Sequence, residues 1–117
     1  MASALPVLAQ HIARTRLGTF CSRRIPAAER SRVRLDLAFA DNHVTVVESR
    51  PKGDDPAAWN HLPVARFRYN AAAGTWALLC PAFGQKDAWR PYPVQPTREL
   101  DRLIATLDED ATGIFWG

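Results

Sequence analysis

Three groups of residues in this 117-residue chain have types and spacings that could do chemistry. The first is Asp36 followed by Glu48-Ser49-Arg50. A strand aspartate followed by Glu-x-basic is the arrangement with which many restriction-type nucleases hold a divalent metal, an ion that wants converging carboxylates. Here an arginine stands where such a site uses lysine, and arginine does not shuttle protons. The second group is Arg66 and Arg68, alternating with Ala65, Phe67 and Tyr69. Basic residues interleaved with aromatics suit a phosphate backbone and stacked bases. The third is Cys21 and Cys80 with His11, His43 and His61, from which a thiol-imidazole pair could be drawn. Two cysteines so far apart make neither a disulfide framework nor a zinc motif, and a buried small hydrophobe is the ordinary role of free cysteine. No glycine-rich phosphate loop and no helical pair of histidines occurs. The residues therefore name no catalytic, cofactor or metal position.

The elements that position these groups are legible from period and punctuation. Val33, Leu35, Leu37 and Phe39 alternate with Arg34, Asp36 and Ala38, the period of a half-buried strand. Asp41-Asn42 supplies a two-residue turn. The return strand then sets Leu37 opposite Val46 and Leu35 opposite Glu48, with Arg50 further along the same apolar face. A carboxylate and a guanidinium leaving a core face need partners. The same register sends Asp36 and Glu48 to opposite faces, against the nuclease reading. Val64 to Cys80 reads as a second hairpin with Asn70 opposite Thr75 and Tyr69 opposite Trp76. Ala65, Phe67, Tyr69, Trp76, Leu78 and Cys80 then share the core face, and Arg66 and Arg68 share the other.

Around this sheet, residues 3–17 read as a helix with Ser3 as N-cap, a stripe of Leu5, Leu8, Ile12 and Thr15, and Gly18 as its stop. Pro26 can open a short helix over Ala27 to Glu29. Lys52 to Pro63 reads as a loop that folds Trp59 back as a lid over a sheet edge. Phe83-Gly84 turns the chain, and Lys86 to Tyr92 forms an edge strand bounded by prolines. Thr97 is the expected N-cap of the last helix, with Leu100, Leu103, Ile104 and Leu107 as its core stripe. Asp108 to Asp110 oppose its dipole and mark a fraying end, and Phe115-Trp116 dock on the sheet.

The expectation is one α+β domain over 1–117: a helical segment at 1–31, an antiparallel four- to five-stranded meander at 33–92, a helix at 97–110 and a docked aromatic tail at 111–117. Residues 1–34 carry seven arginines against one acid, and residues 98–117 five acids against two arginines. Such asymmetry either binds a polyanion or draws the two ends of the chain together. No apolar run approaches a membrane span and no secretory signal opens the chain, so a cytoplasmic protein without a membrane partner is expected.

The order of these pieces resembles a bacterial family catalogued as domain of unknown function 3024. The resemblance rests on Phe20-Cys21 with Arg24-Ile25-Pro26, on Glu48-Ser49-Arg50-Pro51, and on Trp59-Asn-His-Leu-Pro-Val-Ala-Arg-Phe-Arg68. It continues through Trp76, Trp89 and Tyr92 to Gly113-Ile-Phe-Trp-Gly117. After Trp76 the family typically reads Leu-Tyr-Trp and a basic turn, where this chain has Ala77-Leu-Leu-Cys-Pro81. The resemblance implies a shared framework of aromatic, arginine and glutamate positions, and brings no activity, ligand or cofactor with it. The reading is a non-enzymatic binding or interaction module, with a metal-dependent nuclease as the remote alternative. Its candidate surface is Arg66, Arg68, Arg50 and Trp59, with Glu48 positioning Arg50. The partner is a protein or, as the named alternative, a nucleic acid met by the arginine-rich face.

Overall fold

The period-two stretches form a five-stranded antiparallel meander in the order β1-β2-β3-β4-β5, seen in a computed structural model that describes residues 4–82 and 88–116. The strands are β1 (Arg34–Ala40), β2 (His43–Lys52), β3 (Asp55–Asn70), β4 (Thr75–Pro81) and β5 (Trp89–Pro91). Helix α1 (Val7–Arg24) precedes the sheet, a single turn of 3-10 helix (Ala27–Glu29) joins them, and α2 (Leu100–Glu109) follows. The Ser3 cap, the Phe83-Gly84 turn and Lys86 lie outside the described residues.

Both expected hairpin registers are present. Leu35 faces Glu48, Leu37 faces Val46, Tyr69 faces Trp76 and Asn70 faces Thr75. Asp41 takes the left-handed backbone conformation that its turn requires (φ 49°). Its carbonyl accepts the Leu5 N–H at 2.8 Å, which ties the N-terminal segment to the β1–β2 hairpin. Asn70 Oδ1 accepts the N–H groups of Ala72 and Ala73, and Gly74 (φ 67°) closes the β3–β4 turn.

Between β2 and β3 the structure departs from expectation. Lys52 to Pro63 is not a loop: Gly53-Asp54 is a tight turn, Lys52 pairs with Asp55, and β3 runs on through Trp59 and Pro63. Its pairing steps from Val46–Ala65 to Val47–Pro63, so Val64 is an extra residue, a β-bulge. Val64 joins Ala65 in the core, 2% exposed. Proline inside a sheet is tolerated at such irregular points, where a ladder hydrogen bond is already missing.

Both helices lie on the face formed by Val44, Val46, Ala65, Phe67, Trp76, Leu78 and Cys80. α2 contributes Leu100, Leu103, Ile104 and Leu107, the stripe read from the sequence. It begins at Leu100, with Glu99 in the cap position, because Thr97 is held elsewhere. The backbone of Thr97 exchanges two hydrogen bonds with Trp76. α1 corrects a larger expectation. Its buried residues are Ala9, Ala13, Leu17, Phe20 and Cys21, whereas Leu8 is 70% and Ile12 39% exposed. Two alanines a turn apart let the helix lie close to the sheet, and Leu17 and Phe20 then fill the core. That burial offsets the ~1 kcal/mol penalty of Gly18 in mid-helix, so the helix runs past it and ends before Pro26, whose ring disfavours helical geometry at Ile25.

A Cβ built on Gly18 meets nothing within 4 Å. Gly18→Ala is therefore expected to stabilise the fold by about 0.5–1 kcal/mol. Urea denaturation should show a higher midpoint at unchanged slope.

The charge asymmetry is spent partly between the helices. Arg16 meets Asp101 at 3.4 Å, and Arg23 and Arg24 meet Asp108 at 3.5 and 2.9 Å. Nor does the acidic end of α2 fray as expected. Asp110 caps the helix at φ 47°, and its carboxylate accepts the N–H groups of Phe115 and Trp116 at 3.1 and 2.9 Å. Trp116 Nε1 donates to the Leu107 carbonyl, and Phe115 is 6% exposed, so the tail is anchored.

Candidate functional site

The helices leave the opposite face of the sheet uncovered, and alternation decides what stands on it. From β1 come Arg34 and Asp36, from β2 His43, Thr45, Val47 and Ser49, and from β4 Ala77 and Leu79. β3 supplies Trp59, His61, Pro63, Arg66 and Arg68, and β5 supplies Trp89 beside Pro81. Trp59 is thus no lid. It is a strand residue paired with Pro51.

Two arginine–tryptophan stacks dominate this face. The Arg34 guanidinium lies over Trp59, 3.9 Å from the ring centroid, reaching from β1 across β2 to β3. Its Nε donates to the Arg30 carbonyl at 3.3 Å. Arg66 repeats the arrangement from β3 across β4 to β5, with its guanidinium 4.4 Å from the Trp89 centroid. Its Nε donates to Thr45 Oγ1 at 3.0 Å. Each stack roofs a residue of the strand it crosses, which accounts for Ser49 and Leu79 being 3% exposed on a face without helices. Such contacts fix each guanidinium against an aromatic ring and restrict where it can point. Burial pulls Arg66 below the usual guanidinium range, and it stays charged at neutral pH.

Two histidines stand among these arginines. Ser49 Oγ and His61 Nδ1 are 2.7 Å apart. This is no nucleophile–base pair, because the hydroxyl is covered and no carboxylate bonds the imidazole among the described residues. His43 is held below its ordinary value, first by burial and then by Arg66, with Arg68 adding to the effect and Asp41 opposing it.

The expected surface of Arg66, Arg68, Arg50 and Trp59 is therefore divided. Arg66, Arg68 and Trp59 share the open face. Glu48 and Arg50 stand on the helix side, at the sheet end, where their register put them. There Arg50 Nε bonds Glu48 Oε1 at 3.0 Å, beside Arg23, Arg24, Asp108 and Trp116, around a cleft of about 530 Å³. Arg24 stacks on Trp116 at 3.9 Å as well as bonding Asp108. Every carboxylate in this cleft already has a guanidinium partner. Arg50 and Glu48 pair with each other and leave no isolated charge.

The remaining chemical candidates are separated in space. Asp36 and Glu48 project from opposite faces and do not converge on one ion. Among the described residues no cluster of three metal-ligating side chains occurs. Cys21 and Cys80 point into the core. Burial, with a smaller push from Asp36, raises the Cys21 thiol to about 11, so it is not a thiolate at neutral pH.

Arg34, His61 and Trp89 were missed as site residues. The signal for Trp59 and His61 was the Gly53-Asp54 turn: once it closes β2 onto β3, Ser49 faces His61 and Trp59 falls in a strand. The signal for Trp89 was its place on the edge strand two strands from Arg66, where pairing with Pro81 sets it on the same face.

These features define an α+β protein whose helices cover one face of an antiparallel meander and leave the other to arginine and tryptophan. The chain matches the family model described as domain of unknown function (DUF3024) over residues 5–117, and it belongs to that family. No curated protein and no solved structure matches it. No helix among the described residues is long and apolar enough to cross a membrane.

Proposed function

We propose that the protein is a non-enzymatic binding module whose open sheet face takes single-stranded nucleic acid. The observation that carries this reading is the pair of arginine–tryptophan stacks on the face without helices, with Arg68, His43 and His61 between and beside them. Bases are flat and carry a negative backbone, so they suit a surface that alternates π planes with cations. A double helix would present its phosphates to such a face and hide its bases. The protein interior offers no competing use for the two tryptophans, whose rings face away from the core.

Fluorescence anisotropy of a labelled oligothymidylate of about ten nucleotides tests this directly. Binding is expected at low salt and should weaken steeply as salt rises, with a log–log slope of about −0.7 for each phosphate contacted. Duplex of the same length should bind more weakly. Absence of binding at low salt would reject the reading and leave the face to a protein partner.

A further inference from the structure

We propose that His43, Arg66 and Arg68 form a phosphate subsite on the open face, one that takes up a proton as the phosphate enters. The proposal deepens the nucleic-acid reading and rests on it for the source of the phosphate.

The three residues are brought together by strand pairing. Arg68 on β3 stands directly opposite His43 on β2, and Arg66 stands opposite the neighbouring Thr45. Thr45 Oγ1 occupies the Nε of Arg66, and Trp89 lies against the guanidinium face, so the arginine is held on two sides with its Nη atoms not engaged in any hydrogen bond among the described residues. A guanidinium oriented in this way presents parallel N–H groups to two phosphate oxygens. Among the described residues neither Arg66 nor Arg68 has a carboxylate partner, unlike Arg16, Arg23, Arg24, Arg50 and Arg102. Two arginines side by side around a histidine repel one another in the folded protein, and an anion between them removes that repulsion.

There is room for the rest of a nucleotide. A hollow of about 480 Å³ opens beside Arg68, lined by Asn42, Asn70, Thr75, Ala77 and Pro96. It lies at the β3–β4 turn end of the sheet, where Ala4, Pro6 and Tyr69 close its other side.

The protonation follows from the charges that face His43. Arg66 and Arg68 approach from β3 and Asp41 from the β1–β2 turn, while Ala40 opposite it on β1 carries no charge. Both helices are on the other face. Burial and the two arginines keep the free imidazole neutral at neutral pH. A phosphate oxygen opposes that field and favours the imidazolium. A ligand that raises the pKa of a group binds more tightly where that group is protonated. Affinity must therefore rise as pH falls through the interval between the bound and free values of His43, and level off below it.

The imidazole proton signals of His43 can be followed by NMR across a pH series in the full chain. Three samples suffice: free protein, protein with tripolyphosphate, and protein with the oligothymidylate. His11 on α1 serves as the internal control. The expected result is an upward shift of the His43 titration of about one unit with either ligand, none for His11, and about tenfold tighter oligonucleotide binding across that interval. Arg68→Gln should reduce the shift, and His43→Asn should flatten the pH dependence of binding while leaving its salt dependence in place. Oligonucleotide binding with ordinary salt dependence but a stationary His43 would overturn the subsite alone. A shift with tripolyphosphate and no oligonucleotide binding would keep the subsite, assign it to a free phosphate ligand and reject the nucleic-acid reading. No shift with either ligand would overturn the subsite.

Discussion

Replacing Arg66 with glutamate is expected to weaken oligothymidylate binding by about 100-fold at low salt, the largest loss of any single change on the open face. Three effects combine in that number. A phosphate contact is removed, which also lowers the magnitude of the salt slope by about 0.7. A like charge is placed against the backbone, and such juxtapositions cost several kcal/mol. Trp89 loses the guanidinium that lies over its ring, and with it a fixed stacking position. Trp89→Ala alone removes one stacking platform, worth about 1–3 kcal/mol per base, and should leave the salt slope unchanged. Arg102→Glu makes the same charge change on α2, where the native side chain pairs with Glu99. It should shift affinity only slightly. Equal losses from Arg66→Glu and Arg102→Glu would mean that net charge rather than this face drives binding.

The largest stability effect is expected from Phe67→Ala, with a loss of about 4 kcal/mol. Phe67 is fully buried toward the end of β3, the central strand, between Val44 on β2 and Leu78 on β4, on the face that both helices cover. Removing it leaves a cavity where the strands and helices meet, and the rigid sheet cannot close it. A chain of this length has roughly 6–17 kcal/mol in total, so the variant should fold but unfold at much lower urea. The slope of the transition should not change. Phe39, half-buried on the edge strand with Arg14 over its ring at 4.5 Å, should lose less than half as much on truncation to alanine. Similar losses at both positions would contradict a core centred on β3.

The two variants probe parts of the molecule that were unequally legible in the sequence. Phe67 and its neighbours could be placed because a one-residue slip would exchange a whole apolar face for a charged one, and only one register avoids that. The same logic placed Glu48 and Arg50 on the helix side, where they pair. The face of α1 could not be placed that way. Leu8 and Ile12 outrank Ala9 and Ala13 in hydrophobicity, but the helix turns its alanines inward, because closeness to the sheet matters more than the size of any one side chain. Trp59 was hidden by its surroundings. Pro51, Pro56 and Pro63 mimic a loop, and their tolerance in β2 and β3 depends on irregularities in pairing that no local pattern announces. The site was therefore half visible. Arg66 and Arg68 were read as an outward pair, whereas the tryptophans that give the pair its partners became visible only with the strand order.

The extra residue at Val64 gives β3 two phases. Before it, the odd-numbered side chains Trp59, His61 and Pro63 stand with the open face; after it, the even-numbered Arg66 and Arg68 do. With Val64 drawn into an unbroken ladder, the strand would have to keep either its core half or its aromatic half in phase, since no rotation serves both. Loss of the Val64 codon would instead join Pro63 to Ala65 and leave the β2–β3 ladder regular, with Trp59, His61 and Arg66 still on the open face and one core side chain missing. The capacity to combine a tryptophan from one hairpin with an arginine from the next is stored in one skipped rung of the ladder, and a register slip that closed it would erase that capacity without altering a single residue of the surface.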